Sequence, residues 1–329
     1  MTSFAQLRNT TTNEVVDNKA KLLRLKSLED VVFELDARFE NARWGVEPEQ
    51  TIQELHRQRA EQIRQSYDYV VLYFSGGADS ITVLNSFINN NIPIDEIVVY
   101  VNSNATHSPA VNGSVALNYL KDIKYQGRVT LFDINFFVLN KIVKTRAWKT
   151  FESFSGLLHS FYRFRITFYE AHKYLRARTR KGKAAHVFGG VFPKISKLDD
   201  VMYSSIHINS FMVSSTDPYN VQFFTTGDLP ELHIKHSYVL AKSFSSELEK
   251  ESRQYKLLIR DPYSEELDVP KNEGRTNVTK SFYSHHHILY RLYSDKPDFI
   301  AEYDEIIRYF NETQAVSLDG FEKSFRLGF

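Results

Sequence analysis

The chain has 329 residues, no cysteine and a formal net charge of +1. Its length suits one large domain or two ordinary ones with a buried core. The balanced charge argues against bulk electrostatic binding of nucleic acid or membrane, and an aromatic content of 14% argues against disorder. The absence of cysteine excludes disulfides, Cys-ligated zinc, iron–sulfur clusters and every mechanism with a cysteine nucleophile.

No segment of the sequence suggests export or membrane insertion. Residues 1–12 are polar and lack the apolar core of a signal peptide. No apolar run approaches the roughly 20 residues that span a bilayer. We therefore expect a soluble, cytoplasmic protein without a membrane partner.

Residues 1–66 are expected to form a helical N-terminal prefix. Residues 1–18 are rich in Thr and Asn and suggest a loose arm. In residues 19–39 the apolar side chains recur at spacings of three and four, which predicts an amphipathic helix. Residues 49–67 show a similar pattern and predict a second helix.

From residue 67 onward, predicted strands alternate with predicted helices. The β-prone runs lie at 69–74, 96–101, 129–134 and 185–188, and the helical segments at 79–89, 109–123 and 151–178. This alternation predicts an α/β fold with a parallel sheet wrapped by helices. Right-handed crossovers then place the loops after the strands along one edge of the sheet, where ligands bind.

The alternation fades after about residue 200, and the rest of the chain predicts a mainly helical C-terminal lobe. We therefore expect boundaries near residues 66 and 200. Short segments precede the helical patterns of this lobe. The short segments are 204–214 and 221–225, and the helical patterns are 232–258, 279–293 and 297–311.

The most specific motif is Ser-Gly-Gly-Ala-Asp-Ser at 75–80, between the first β-prone run and its helix. Its glycines let the backbone approach a ligand closely, and exposed amides at a helix start bind phosphate oxygens. Ser75 and Ser80 add hydroxyl groups, and Asp79 can hold Mg²⁺. The motif is not a Walker loop, because no Gly-Lys-Ser/Thr follows. An ordinary glycine turn is the alternative, which the flanking strand and helix disfavour.

This motif resembles the PP-loop of the N-type ATP pyrophosphatases, the adenine nucleotide alpha-hydrolase-like superfamily. Its members include asparagine, GMP, NAD and tRNA-lysidine synthetases and the phosphoadenylylsulfate reductases. The resemblance is strong over residues 67–104 and extends by pattern to about 200. It implies a Rossmann-like, HUP-type sheet and an ATP-binding domain at 67–200. The resemblance cannot be placed beyond about residue 200, and we expect residues 201–329 to form the acceptor lobe. It also implies cleavage of ATP to AMP and pyrophosphate.

The resemblance implies that the motif holds the pyrophosphate of ATP and its Mg²⁺, with Asp79 as the metal ligand. The backbone at Tyr73 and Phe74 would approach the nucleotide, and the end of the second strand would lie near the adenine. The nucleotide-binding residues implied in this way are Phe74, Ser75, Gly76, Gly77, Ala78, Asp79, Ser80, Val101, Asn102 and Ser103.

A second glycine pair, Gly189 and Gly190, follows the fourth predicted strand and suggests a close approach to ligand at the same sheet edge. In the loop predicted at 188–200, Lys194 and Lys197 are candidate catalytic residues that would neutralise charge on the departing pyrophosphate. One of the aspartates at 199–200 would complete a metal site. The match to the glycine- and acid-rich loop of asparagine synthetase-like proteins is loose. A surface loop with two solvated lysines therefore remains the alternative.

Residues 161–183 form a basic segment with eight basic side chains, one acid and interleaved aromatic residues. Such a pattern can bind a polyanion such as tRNA or DNA. We favour a helix whose aromatic residues enter the core and whose basic side is solvated, because the charge is offset elsewhere in the chain.

The histidines give a weaker signal than the glycine motif. His233, His236 and the run at 285–287 have no cysteine and no carboxylate at metal-ligand spacing. We therefore expect structural or surface roles for them.

The missing cysteine also narrows the function within the resembling superfamily. It excludes reduction, sulfur transfer on cysteine and a built-in glutaminase. The leading hypothesis is an ATP-dependent, AMP-forming ligase or amidating enzyme that adenylates a carboxyl or oxo group of a small molecule or a nucleic-acid base. The alternative is a non-catalytic nucleotide-binding or assembly module on a phosphoadenylylsulfate reductase-like scaffold. The sequence leaves the acceptor and any oligomer open.

Overall fold

The computed structural model describes the following residues, and structural statements below refer to them. They are 5–16, 25, 29–101, 113–133, 183–189, 193–198, 201–207, 220–242 and 322–329. Within these ranges the chain forms one five-stranded sheet and two three-stranded sheets. The five-stranded sheet is entirely parallel, and both smaller sheets are antiparallel.

The parallel sheet has the strand order β10-β7-β4-β5-β6. Its strands are β4 (Tyr69–Tyr73), β5 (Glu96–Val101), β6 (Val129–Asp133), β7 (Ala184–Phe188) and β10 (Asn220–Gln222). The chain adds β5 and β6 on one side of β4, and β7 and β10 on the other. The direction of strand addition therefore reverses between β4 and β7, where open α/β sheets form a ligand-binding crevice. This order confirms the Rossmann-like α/β fold.

Three helices pack on one face of the parallel sheet. They are α2 (Ile52–Ser66), α3 (Ala78–Ile88) and α4 (Ser114–Asp122). A capping box fixes the start of α2, where Thr51 and Glu54 exchange hydrogen bonds between side chain and backbone. Their apolar sides share one core with alternate strand residues, among them Val70, Leu72, Ile97, Val99 and Val187. None of the helices in the described ranges has both the length and the apolar character needed to cross a bilayer.

A second core lies among the two antiparallel sheets and two further helices. Their elements are β1 (Ala5–Asn9), β2 (Val15–Val16), β3 (Val31–Leu35), α1 (Ala37–Glu40), β8 (Lys194–Leu198), β9 (Val201–His207), α5 (Pro230–Lys242) and β11 (Glu322–Arg326). Trp44 is at its centre, stacked on Phe325 with ring centroids 4.0 Å apart. The Trp44 indole N–H donates to the carbonyl of Phe39 at 3.1 Å, which satisfies this buried polar group.

The two cores meet where α2 packs against α5. The Nε2 atoms of His56 and His236 lie 2.9 Å apart, and both rings are buried. Arg59 of α2 is buried too and donates from Nη2 and Nε to the carbonyls of Gln222 and Phe223 at 3.0 and 3.3 Å. These carbonyls stand at the carboxyl end of β10, so the arginine ties the end of an edge strand to α2.

The N-terminal prefix contains strands as well as helices, which corrects two predictions. The arm predicted at 1–18 contains β1 and β2, and the helix predicted at 19–39 is wrong at its end, where β3 forms. Alternate residues of β3 are buried and Val32 between them is exposed. The deciding pattern there is the two-residue alternation of a strand. The second predicted helix is confirmed as α2.

The predicted alternation that builds the parallel sheet is confirmed. The four predicted strands correspond to β4, β5, β6 and β7, and the helices predicted at 79–89 and 109–123 correspond to α3 and α4. The loop predicted at 188–200 is wrong in part, because β8 forms within it. Beyond residue 200, β10 joins the parallel sheet, β9 pairs with β8 and β11, and α5 begins the helix predicted at 232–258.

Several predictions fall outside the described residues. They are the helices at 151–178, 279–293 and 297–311, the basic segment 161–183 except Lys183, the run 285–287, Asn102, Ser103, Gly190 and the aspartates at 199–200. Lys183 itself is exposed, and its ammonium lies 4.9 Å from the centroid of the Tyr67 ring.

The buried histidines predict that acid destabilises the fold well above the pH at which carboxylates titrate. Burial lowers the pKa of His56 and of His233 to about 3, and lowers the pKa of His236 as well. The unfolded chain binds these protons near pH 6.5. Stability is therefore full above that pH and falls as the pH drops towards 3, by up to about 1.4 kcal/mol per pH unit for each histidine.

Urea unfolding between pH 7 and pH 5 measures this effect. The double variant His56→Leu/His236→Leu removes both members of the pair together and leaves no orphaned partner. We expect its free energy of unfolding to fall less steeply with acidification than that of the wild type. Equal slopes for the two proteins would contradict the assignment.

Candidate functional site

The motif at 75–80 consists of a short loop at 75–77 and the first turn of α3, at the carboxyl end of β4 beside the switch point. Its hydroxyl groups close the loop on itself. Ser80 Oγ donates to the carbonyl of Gly77 at 2.9 Å and accepts from the amide of Ser75 at 3.3 Å. The amide of Gly77 donates to Ser75 Oγ at 3.3 Å. Because Ser80 is buried, its hydroxyl shapes the loop from inside.

The start of α3 lies in this loop. Gly77 is the N-cap residue, and it has no side chain with which to cap the helix. The first turn of α3 carries Asp79 and the positive end of the helix dipole. A helix N-terminus without a capping side chain, preceded by a glycine loop, is the arrangement that binds phosphate groups in proteins.

Gly76 brings a second helix against the loop. Its φ of 72° lies in the left-handed region, which side chains disfavour. A Cβ there would lie 2.7 Å from the amide nitrogen of Ala116, in the first turn of α4. Gly113, the N-cap residue of α4, also has a positive φ, and its own Cβ would lie 2.7 Å from Cγ1 of Val101. The loop, the start of α4 and the end of β5 are therefore in direct contact.

Gly189 meets the loop from the other side of the switch point. It follows β7 directly, and a Cβ there would lie 3.0 Å from the carbonyl carbon of Asp79 and 3.1 Å from the Cβ of Asp79. The two glycine segments singled out in the sequence thus lie against each other across the end of the sheet. A side chain at Gly189 would therefore fit only if the first turn of α3 shifted by a few tenths of an ångström.

The remaining predicted site residues have different positions. The side chain of Phe74 is buried in the core, so only the backbone of this residue could contact a ligand. The amide of Phe74 donates to the carbonyl of Val98 at 2.9 Å. Val101 is half-buried at the end of β5. Lys194 and Lys197 lie on β8 and pair with Ser205 and Met202 of β9. The loop interpretation of these two lysines is therefore wrong, because they belong to an antiparallel strand.

Two features of this edge were not found from the sequence. One is the role of Gly113, for which the available signal was an Asn-Gly-Ser sequence inside the helix predicted at 109–123, close to where α4 actually begins. The other is a hydrogen bond of 2.9 Å between Tyr73 Oη and His186 Nδ1, which joins β4 to β7. Nothing local predicts this second contact, since it depends on which strands are neighbours.

The electrostatics of the loop suit a metal that arrives with its ligand. Asp79 is the carboxylate of the motif, and the described residues contain no group of three or more His, Asp or Glu side chains able to hold a metal ion. Mg²⁺ keeps several waters and is usually bound by one or two carboxylates together with substrate phosphates. One carboxylate in the first turn of a helix that follows a glycine loop fits that pattern, whereas it does not fit a metal held by protein ligands alone.

The structure is similar to two solved synthetases. NMN synthetase from Francisella tularensis is 11% identical with a TM-score of 0.33, and the match covers 72% of this chain and 96% of that one. NAD+ synthetase from Burkholderia pseudomallei is 10% identical with a TM-score of 0.35, covering 82% of this chain and 96% of that one. Neither a protein-family model nor a curated protein matches the chain. TM-scores this low carry no argument about family or function, so the fold assignment depends on the strand order.

The crowding at Gly76 predicts a large effect of a single methyl group. Gly76→Ala should lower the free energy of unfolding by about 2 kcal/mol or more, because it combines a left-handed φ with a backbone clash. Gly45→Ala is the matched control, since a Cβ there would meet nothing within 4 Å. We expect that variant to stay within about 0.5 kcal/mol of the wild type in urea unfolding. Similar losses in both variants would show that the loop does not depend on this contact.

Proposed function

We propose that the chain is an ATP-dependent, AMP-forming ligase or amidating enzyme of the PP-loop ATP pyrophosphatase type. The observation that carries this proposal is the contact of Gly189 with Asp79 at the switch point. It brings the SGGADS motif and the second glycine segment together at the carboxyl edge of a parallel sheet, where nucleotides bind in such folds.

The loop supports binding of the pyrophosphate part of ATP. At Gly76 and Gly189 a Cβ would crowd neighbouring backbone atoms, so no side chain stands at these two positions of the loop. Backbone atoms are therefore the groups that these positions present to a ligand. The start of α3 adds amide donors and a partial positive charge, both of which favour phosphate oxygens. The hydroxyl bonds between Ser75 and Ser80 set this shape in advance, so that less conformational freedom is lost on binding.

Asp79 would hold Mg²⁺ together with the phosphates of the nucleotide. When bound there, the ion supplies neutralisation of phosphate charge. The chain's own contribution is to hold this carboxylate in the first turn of α3, where Gly189 lies close to the backbone of Asp79.

In the proposed reaction an oxygen of the acceptor attacks the α-phosphorus of ATP. The bond from that phosphorus to the bridging oxygen breaks, and pyrophosphate leaves with the electron pair. A loop that grips the leaving pyrophosphate stabilises the charge that develops on it and holds the α-phosphorus in line for attack. A nitrogen nucleophile can then displace AMP from the adenylated acceptor. The acceptor in this proposal is a carboxyl or oxo group of a small molecule or of a nucleic-acid base, and a nucleic acid would be bound through the basic segment 161–183.

Removal of the Asp79 charge tests the proposal directly. We expect the wild type to bind Mg-ATP in calorimetry and to release pyrophosphate when a suitable acceptor is present. Asp79→Asn should weaken Mg-ATP binding about tenfold or more, since a charged contact is worth about 1.5–3 kcal/mol. Asp122→Asn, on the last turn of α4, is the control and should bind as the wild type does.

The outcomes of this experiment separate the two functions raised by the sequence. Absence of Mg-ATP binding by the folded wild type would overturn the proposal. Binding without AMP or pyrophosphate formation over a broad panel of carboxyl, oxo and nucleic-acid acceptors would instead favour the non-catalytic nucleotide-binding module.

Lys194 and Lys197, which lie on β8, are the cations that we propose for neutralising charge on the departing pyrophosphate. If either acts there, its replacement by alanine should lower kcat for pyrophosphate release about tenfold or more and leave Mg-ATP affinity nearly unchanged. Lys121→Ala, on the exposed side of α4, is the control for loss of a positive charge. Unchanged kcat in both strand variants would remove these lysines from the mechanism.

A further inference from the structure

The backbone pairing between β4 and β7 stops before the two strands reach their loops. The last paired residues are Leu72 and Val187. On its other side β4 stays paired for longer, because Tyr73 pairs with Val98 and the amide of the next residue donates to the Val98 carbonyl at 2.9 Å. Of the two pairings that β4 makes, the one with β7 therefore ends first, close to the residues that bring Gly189 against Asp79.

Side chains join the strands at the point where the backbone pairing ends. Tyr73 Oη and His186 Nδ1 share a hydrogen bond of 2.9 Å. The Tyr73 ring also stacks on Phe188 with centroids 4.5 Å apart and an angle of 13° between the ring planes. Tyr73 and His186 are both buried, so this bond is shielded from competing water and holds its geometry better than a surface contact.

The position of this bond gives it a consequence beyond stability. Tyr73 lies two residues before the loop that begins at Ser75, and His186 lies three residues before Gly189. A bond between them fixes how far apart the two loops begin. Gly189 lies close to Asp79, since a Cβ at Gly189 would lie 3.0 Å from the Asp79 carbonyl carbon, closer than an ordinary van der Waals contact. A change in the separation of the two strands would therefore alter how the segment after β7 packs on the first turn of α3.

We infer that Tyr73 and His186 are positioning residues, whose hydrogen bond sets the separation of β4 and β7 at their carboxyl ends and so the placement of Asp79. Neither residue needs to touch the nucleotide with its side chain. The separation of the strands can be tested in the ligand-free protein, and only its consequence for Mg-ATP affinity rests on the proposed function.

The chain offers a matched control on the same strand. Tyr69 lies on the same face of β4 as Tyr73, since four residues separate them. Its hydroxyl donates to Glu96 Oε2 of the neighbouring strand β5 at 3.0 Å. It differs from Tyr73 in lying at the amino end of the strand, about 13 Å from it at 3.3 Å per residue. Tyr73→Phe and Tyr69→Phe thus each delete one cross-strand hydroxyl bond, at opposite ends.

Hydrogen exchange in the ligand-free protein is the first test. We expect Tyr73→Phe to speed amide exchange in peptides covering residues 75–80 and 186–189 about tenfold, while Tyr69→Phe leaves them as in the wild type. His186→Ala should act as Tyr73→Phe does, and His186→Asn should restore slow exchange because its amide can replace Nδ1. Exchange in Tyr73→Phe equal to the wild type, or equal acceleration in both tyrosine variants, would overturn the inference.

Calorimetry with Mg-ATP is the second test and separates this inference from the proposed function. We expect Tyr73→Phe to weaken binding about tenfold and Tyr69→Phe to stay within about twofold, at similar free energies of unfolding. Equal affinity of Tyr73→Phe and wild type would overturn the inference and leave the proposed function intact. A wild type that binds no Mg-ATP would overturn the proposed function, and the exchange result alone would then decide the role of the pair.

Discussion

The approach of Gly76 to the first turn of α4 is the constraint on which the carboxyl edge of the sheet depends. Because a Cβ at Gly76 would lie within 3 Å of α4 backbone, the loop and the helix start occupy adjoining space. That contact holds the loop from the β5 side, and Gly189 holds it from the β7 side. The start of α3 is thus fixed between two neighbours, and these contacts add to the hydroxyl bonds of Ser75 and Ser80 that close the loop from within.

The junction between the two cores is held by buried polar groups, each with a hydrogen-bond partner inside the protein. His56 and His236 satisfy each other as neutral rings, and Arg59 is satisfied by two main-chain carbonyls. Burial lowers the pKa of Arg59 to about 10, so it stays charged near neutral pH. A junction of this kind is specific in its geometry, because a shift of either helix would leave buried donors unpaired.

The sequence predicts the parallel sheet and its glycine loop because both leave local signals. Runs such as the one at 69–74 and the Gly-Gly that follows need no partner to be recognised. The helix prediction is wrong at Val31–Leu35 because the apolar spacing there fits a helix as well as a strand. The alternating burial that identifies a strand is visible only in the structure. The bond between Tyr73 and His186 could not be predicted, since it requires strands far apart in sequence to be neighbours. The placement of Lys194 on β8 likewise depends on pairing with β9.

The second core joins residues that are far apart in sequence, since Leu7 and Leu327 are buried in the same cluster. During synthesis β11 is made after the other described elements of this core, so the core cannot close until β11 has left the ribosome. The five described strands of the parallel sheet are made by the time β10 has emerged, and the helices α2, α3 and α4 precede that strand. The parallel sheet and its glycine loop can therefore assemble on the growing chain, whereas the core around β1 closes only after β11 is made.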